Sequence, residues 1–189
     1  MSDGSIPPGQ HRARGWPVLH EGPIPPFDPD TWILRCFGDV GAETTLTWPQ
    51  FNALPMIERT ADFHCVTGWS KLDNVWRGVA FATVAARAQA DRNATHVLVH
   101  APYGYSANLP LDVLLEDGLF AIEHDRRPLE AKHGGPMRLV VPSRYGWKSV
   151  KWANAVEFLA QDLRGFWEER GYHNRALPWN EERYAWQET

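Results

Sequence analysis

Apolar and polar positions alternate in short runs along this chain, and no run is long enough for an extended helix. "TWILRCFGDV" (31–40) alternates well enough to predict a strand, and "MIERTADFHCVTG" (56–68) has strand-like composition. Between them, "TLTWPQFNALP" puts Thr47 and Gln50 at capping-box spacing and predicts a short helix. "FATVAARAQA" (81–90) is helical by propensity, "THVLVHA" (95–101) is a short buried-type strand, and "LPLDVLLEDG" (109–118) is a helix stopped at Gly118. "LFAIEHDRRPL" (119–129) predicts a strand and turn, and "PMRLVVP" (136–142) a buried strand. "WANAVEFL" (152–159) fits a strand or short helix, and "LRGFWEERGY" (163–172) a helix ended by Gly171. Strands and helices mix without the regular alternation of a parallel sheet, which predicts an α+β fold.

The first thirty residues read differently. "IPP", "GPIPP" and "DPD" favour extended backbone, so about 1–30 is expected to be a proline-rich arm lying on a domain. At 189 residues the chain has the size of one domain, 1–189, with a real core. No segment reaches the roughly 18 apolar residues needed to cross a bilayer, and no apolar run follows the basic residues near the N-terminus, so neither anchor nor signal peptide is expected. Cys36 and Cys65 stand far apart without metal-ribbon spacing, which fits a reducing cytoplasm. The net charge of −4 argues against nucleic acid or an anionic membrane as partner. Ten tryptophans exceed ordinary usage, and flat side chains in that number are expected to line something.

Two features carry chemistry. Between Arg126 and Lys151 lie seven basic side chains (Arg126, Arg127, Lys132, Arg138, Arg144, Lys148 and Lys151) and one acid, Glu130. Within that run, "HGGPMRLVVPSRYGWKSVKW" interleaves cations with glycines, a serine and aromatic residues. Free backbone N–H groups, a hydroxyl and compact charges suit a phosphate, and flat side chains suit a heterocycle. The second feature is Cys65, set between a histidine and two tryptophans in "DFHCVTGWSKLDNVWRG". A thiolate is a soft metal donor, and a metal keeps a buried thiol deprotonated. The residues alone leave other readings open: a noncatalytic tryptophan-rich module binding a flat ligand by stacking, or a zinc protein using Cys65 with histidines among 20, 64, 96, 100 and 133.

"FHCVTGWS", "HGGPMRLVVP", "YGWKSVKW" and "FWEERGYHN" occur in the order and approximate spacing of the sulfite-oxidase-type molybdopterin enzymes. The sequence resembles the small bacterial sulfite oxidase-like oxidoreductases over nearly its whole length. The resemblance implies a mixed α/β molybdopterin-binding fold and a molybdenum–molybdopterin cofactor, with Cys65 as the single protein thiolate to the metal. It implies that His133 and Arg138 contact the molybdopterin, that Ser149, Val150 and Lys151 hold its phosphate end, and that His20 and Glu21 reach it from "VLHEGPIPP". Tyr172 matches the active-site tyrosine. Two-electron oxygen-atom transfer on a small substrate follows, with electrons passing to a separate partner, since neither a haem domain nor a C-terminal dimerisation domain is recognisable.

The departures narrow the substrate. Sulfite oxidases follow the cysteine with an arginine-containing segment, where this chain has "CVTGWSK", and the methionine-sulfoxide reductases have a glutamate where Thr67 stands. In "VHAPYGYS", Ala101 and Tyr103 occupy positions where an aspartate or threonine contact to the pterin is expected. Neither sulfite nor methionine sulfoxide is therefore carried over as substrate.

Overall fold

The computed structural model describes residues 6–188. Its site-bearing sheet is built on a long antiparallel hairpin, β4 (Met56–Cys65) with β5 (Trp69–Ala80). The other edge of β5 is shared. β1 (His11–Arg12), from the arm, pairs in parallel with its start at Trp69 and Ser70, and β8 (Leu119–His124) pairs with its end. β8 in turn holds β9 (Arg127–Pro128) and β10 (Arg138–Val140).

The hydrophobic pattern gives no signal for β5, and the structure shows why. Ala61 pairs with Asn74 but Phe63 pairs with Lys71, so β5 carries one residue more than β4 over this stretch. Asp73 takes up the bulge at φ +56°, its N–H bonded to a carboxylate oxygen of Asp62 at 2.9 Å. The extra residue reverses the in–out order, and Trp69 and Trp76, seven positions apart, end on one face with Phe63 and Cys65. A period-two search across the bulge finds nothing. Farther along, Gly78 lies so close to β8 that a Cβ there would stand 2.0 Å from the Phe120 carbonyl oxygen.

A second sheet runs in the order β3 (Thr44–Thr47), β2 (Ile33–Gly38), β11 (Ala155–Leu159), β6 (His96–His100), β7 (Ser106–Pro110). Within the ambiguous 152–159 segment, Ala155–Leu159 is a strand because β2 and β6 pair with both its edges. β7 was not expected: its sequence, SANLP, has buried Asn108 in the middle and runs directly into helix α3 (Leu111–Asp117). The capping box before α1 (Trp48–Asn52) forms, with Gln50 Oε1 accepting from both the Thr47 N–H and its hydroxyl. α2 (Phe81–Ala88) ends with Gln89 in the left-handed region. Leu34, Leu46, Val97, Val99, Leu109, Val156 and Phe158 of the second sheet pack with Phe51, Phe81, Val84 and Leu114 of the helices and with Val79, Phe120 and Leu139 of the first sheet. Strands in two mixed sheets with three short helices agree with the expected α+β class.

Two segments differ from expectation or refine it. Residues 163–172 are hydrogen-bonded turns rather than a helix. Gly165 is pressed against β7, where a Cβ would lie 2.6 Å from Ser106 O, the Phe166 N–H is spent on that same oxygen, and the Glu168 side chain is drawn into the interior. Tertiary partners outweigh the local helical preference. The described part of the arm carries short turns and bends at 8–9, 14–15 and 21–22 and is tied to the molecule at many points; Met1–Ser5 lie outside the described residues.

Candidate cofactor site

Cys65 is the last residue of β4, and three residues, Val66 to Gly68, connect it to β5. Gly68 N–H donates to Cys65 O at 3.0 Å, and Gly68 adopts φ +98°, a conformation that makes glycine the natural residue there. The turn leaves the Cys65 thiol partly exposed, 3.1 Å from Thr67 Oγ1. Cys36 is the contrast. It is 1 % exposed in the core, and burial pushes its thiol up to about 12.

The thiol borders a cavity of about 270 Å³. The arm forms one wall through Trp16, Leu19, His20 and Glu21, and the segment from Gly146 to Trp152 another. Arg138 and Lys151 are the cations on this wall. The Arg138 guanidinium, 1 % exposed, donates to His133 O at 2.9 Å and Ser149 O at 2.8 Å and lies 5.1 Å from the Phe63 ring centre. Lys151 Nζ donates to Leu19 O at 2.7 Å and Lys132 O at 2.8 Å. Among the described residues neither has a carboxylate partner. Burial pulls Arg138 down to about 9; burial, then the neighbouring Arg138 charge, pulls Lys151 down to about 7. Two desolvated cations met by carbonyl dipoles and aromatic rings but by no carboxylate fit a site completed by an anion. Ser149 adds a donor: its Oγ accepts from Val141 N–H at 2.9 Å and keeps its own proton to give.

Cys65, Tyr172, His20, Glu21, Arg138, Ser149 and Lys151 thus line one cavity. His133 and Val150 stand behind it. The His133 ring is buried and stacked on Trp16, 3.8 Å between centres and 5° from parallel, and burial, then the Lys151 charge, lowers its pKa to about 4. Its Nδ1 has no hydrogen-bond partner among the described residues, while its carbonyl holds Arg138. The Val150 side chain is in the main core, and its carbonyl accepts from Leu139 N–H. A contact from Val150 to a ligand would have to be made by backbone.

The rest of the basic run is divided by tertiary structure. Lys148 is fully buried against Glu168, and Arg126 and Lys132 pair with exposed Glu58 and Glu130. The sequence reading also misses most of the aromatic wall. Trp16, Trp69, Trp147, Trp152 and Trp167 line the cavity, which accounts for half of the ten tryptophans. Trp167 stacks on Tyr172 at 5.2 Å, and Trp147 lies 4.8 Å from the same ring. Trp147 is held in place by its Nε1–H, which donates to Glu168 Oε1 at 2.8 Å, and its carbonyl accepts from the Tyr105 hydroxyl at 2.6 Å. The excess of tryptophan was a usable signal; which ones face the cavity was not.

The donor set decides between the readings left open. Among the described residues no group of three or more His, Cys, Asp or Glu side chains is placed to hold a metal ion, so a zinc site made of Cys65 and histidines has no basis. A lone soft sulfur fits a metal whose remaining donors arrive with an anionic cofactor. Five of the tryptophans line the same cavity as that sulfur and the two cations.

Comparison with known proteins agrees. Residues 21–167 match the family model described as "Oxidoreductase molybdopterin binding domain". The uncharacterized oxidoreductase YuiH of Bacillus subtilis is 42% identical over 185 residues, covering 97% of this chain and 93% of that protein. Mitochondrial sulfite oxidase of Rattus norvegicus is 29% identical over 180 residues, covering 79% of this chain but 33% of its own length. Among solved structures, the sulfane dehydrogenase SoxCD of Paracoccus pantotrophus superimposes with a TM-score of 0.70 at 18% identity, over 76% of this chain and 42% of that one, which establishes the fold.

Proposed function

The chain belongs to the oxidoreductase molybdopterin-binding-domain family, and from that premise we propose that it performs two-electron oxygen-atom transfer on a small uncharged substrate, with Cys65 as the protein sulfur to molybdenum. The cofactor is the molybdenum–molybdopterin of this sulfite-oxidase-type family. When bound, it supplies the two-electron couple for passing an oxygen atom to or from a substrate. The observation that carries this reading is the single cavity bordered by a partly exposed thiol and two cations without carboxylate partners.

Arg138, Lys151 and the Ser149 hydroxyl would hold the phosphate end of the cofactor through charge-assisted hydrogen bonds. His20 and Glu21 reach the cofactor from the arm, Val150 contributes backbone, and His133 acts through its stack on Trp16 and its hold on Arg138. Near the thiol, Val66, Thr67, Trp147, Trp167 and Tyr172 carry no charge, which favours a neutral substrate over a tetrahedral anion such as sulfite. Burial keeps the Tyr172 phenol protonated, so its hydroxyl donates to the substrate oxygen. Oxidation would convert substrate and water to the oxygenated product, two protons and two electrons; reduction is the reverse. The electrons pass singly to a separate carrier protein. No helix among the described residues is long and apolar enough to cross a membrane, and the two free thiols fit the cytoplasm.

The test is Cys65→Ser, assayed for molybdenum, pterin and turnover with an artificial electron carrier. A hydroxyl is a harder donor, so turnover is expected to vanish while the fold survives. Full turnover of Cys65→Ser on any substrate of the parent would overturn the assignment.

A further inference from the structure

The arm reaches Cys65 itself. Gln10 Nε2–H donates to Cys65 O at 3.1 Å, and Gln10 Oε1 accepts from the Ser70 hydroxyl at 3.2 Å. Because a carbonyl only accepts, the amide must turn its nitrogen to Cys65, which leaves its oxygen for Ser70. Ser70 spends its one proton there, and its oxygen, 2.8 Å from His64 Nδ1, accepts from that nitrogen. A single-direction chain results, running from buried His64 through Ser70 and Gln10 to the Cys65 carbonyl. His64 and Ser70 are a cross-strand pair directly beside the Cys65–Trp69 pair, and alternation places them on the opposite face of the hairpin from the thiol. The same short stretch of arm is pinned on both sides of the amide: Arg183 Nη2–H donates to Gly9 O, and His11 and Ala13 N–H donate to Gly68 O and Ser70 O.

We propose that Gln10 is a positioning residue for Cys65: its amide fixes the carbonyl of the cysteine from behind the hairpin, so the arm as well as the turn sets the direction of the thiol. The Gly68 N–H bond closes the turn and Arg183 donates to the carbonyl of the following residue, Val66, while Gln10 adds a side-chain hydrogen bond to the Cys65 carbonyl itself. The same arm lines the cavity from Trp16 to Glu21, so one segment holds both the ligand residue and the wall opposite. The proposal rests on Cys65 being the metal's protein sulfur, but the clamp is detectable on the free thiol.

The experiment uses the full chain made without cofactor and follows iodoacetamide alkylation of Cys65 by peptide mass, with buried Cys36 as the unreactive internal reference. Gln10→Met keeps the length of the side chain and removes both hydrogen bonds; Gln10→Glu keeps the acceptor for Ser70 and removes the donor to Cys65. Both are expected to alkylate between about twofold and tenfold faster than the parent, the fold-change of one net hydrogen bond. The Mo(V) electron paramagnetic resonance signal of the loaded variants is expected to shift at unchanged metal content. Parent-like alkylation in Gln10→Met means the side chain only fills space and overturns the proposal, as does a parent-like rate in Gln10→Glu. Faster alkylation with an unshifted resonance would limit the clamp to the free thiol and overturn its role in positioning the ligand, while Cys65→Ser decides separately whether Cys65 is that ligand.

Discussion

Lys148 Nζ lies 2.6 Å from Glu168 Oε1, and both side chains are essentially sealed from solvent, at 1% and 0% exposure. The ammonium also donates to Asn108 O and Oδ1, whereas Glu168 Oε2 has no partner among the described residues. The pair sits directly behind the cavity wall, since the Trp147 indole donates to the same carboxylate oxygen.

Lys148→Met is therefore expected to destabilise the fold by about 3–5 kcal/mol, because it strands a buried carboxylate. Adding Glu168→Leu should recover part of that loss, with the Trp147 N–H left unpartnered. Urea denaturation of the parent, single and double variants checks the order.

Arg138→Met and Lys151→Met are expected to lower molybdenum and pterin per chain. Each loses a charge-assisted contact of about 1.5–3 kcal/mol, roughly ten- to a hundredfold in affinity. The cofactor-free variants should be no less stable than the cofactor-free parent, because each removes a desolvated cation that nothing neutralises. Metal and pterin analysis beside melting temperatures separates cofactor binding from folding.

His124 and His133 both contact Trp16, and burial is the main cause that lowers each to about 4. An ordinary histidine binds its proton near 6.5, so between that value and about 4 the unfolded chain carries more protons than the folded one. Stability should fall as pH drops through this window, by at most about 1.4 kcal/mol per unit for each ring. Cofactor-free parent and His133→Gln, compared by chemical denaturation from pH 7 to 4, should differ in slope, the variant being shallower.

Tyr172→Phe keeps the ring against Trp167 and Trp147 and removes only the hydroxyl. Turnover is expected to drop by less than the roughly hundredfold to thousandfold seen for a lost oxyanion donor, with cofactor content unchanged. A small loss of melting temperature at normal kcat would remove Tyr172 from the reaction.

The parts of this molecule that were legible in the sequence are those whose signal is local. The Thr47–Gln50 box, the Gly118 stop and the buried run at 95–101 are each decided within a few residues. The cavity was legible through ordered motifs, which pointed to Cys65, Arg138, Ser149 and Lys151 although they come from separate elements. Nothing local marks Gln10, whose partners are 55 and 60 positions away, nor Lys148, whose charge belongs to the interior rather than to the cavity. The 163–172 segment misleads for the same reason: its helical composition is intrinsic, but Ser106 and Lys148, which decide its shape, are distant in sequence.

The unpaired residue at Asp73 fixes the parity of everything between the two ends of β5. With it, an odd separation puts Trp69 and Trp76 on the cavity side; without it, the same separation would send one of them to the far side. Removing one residue at this point would leave composition almost intact and yet turn Trp69 and the cysteine turn against the rest of the sheet.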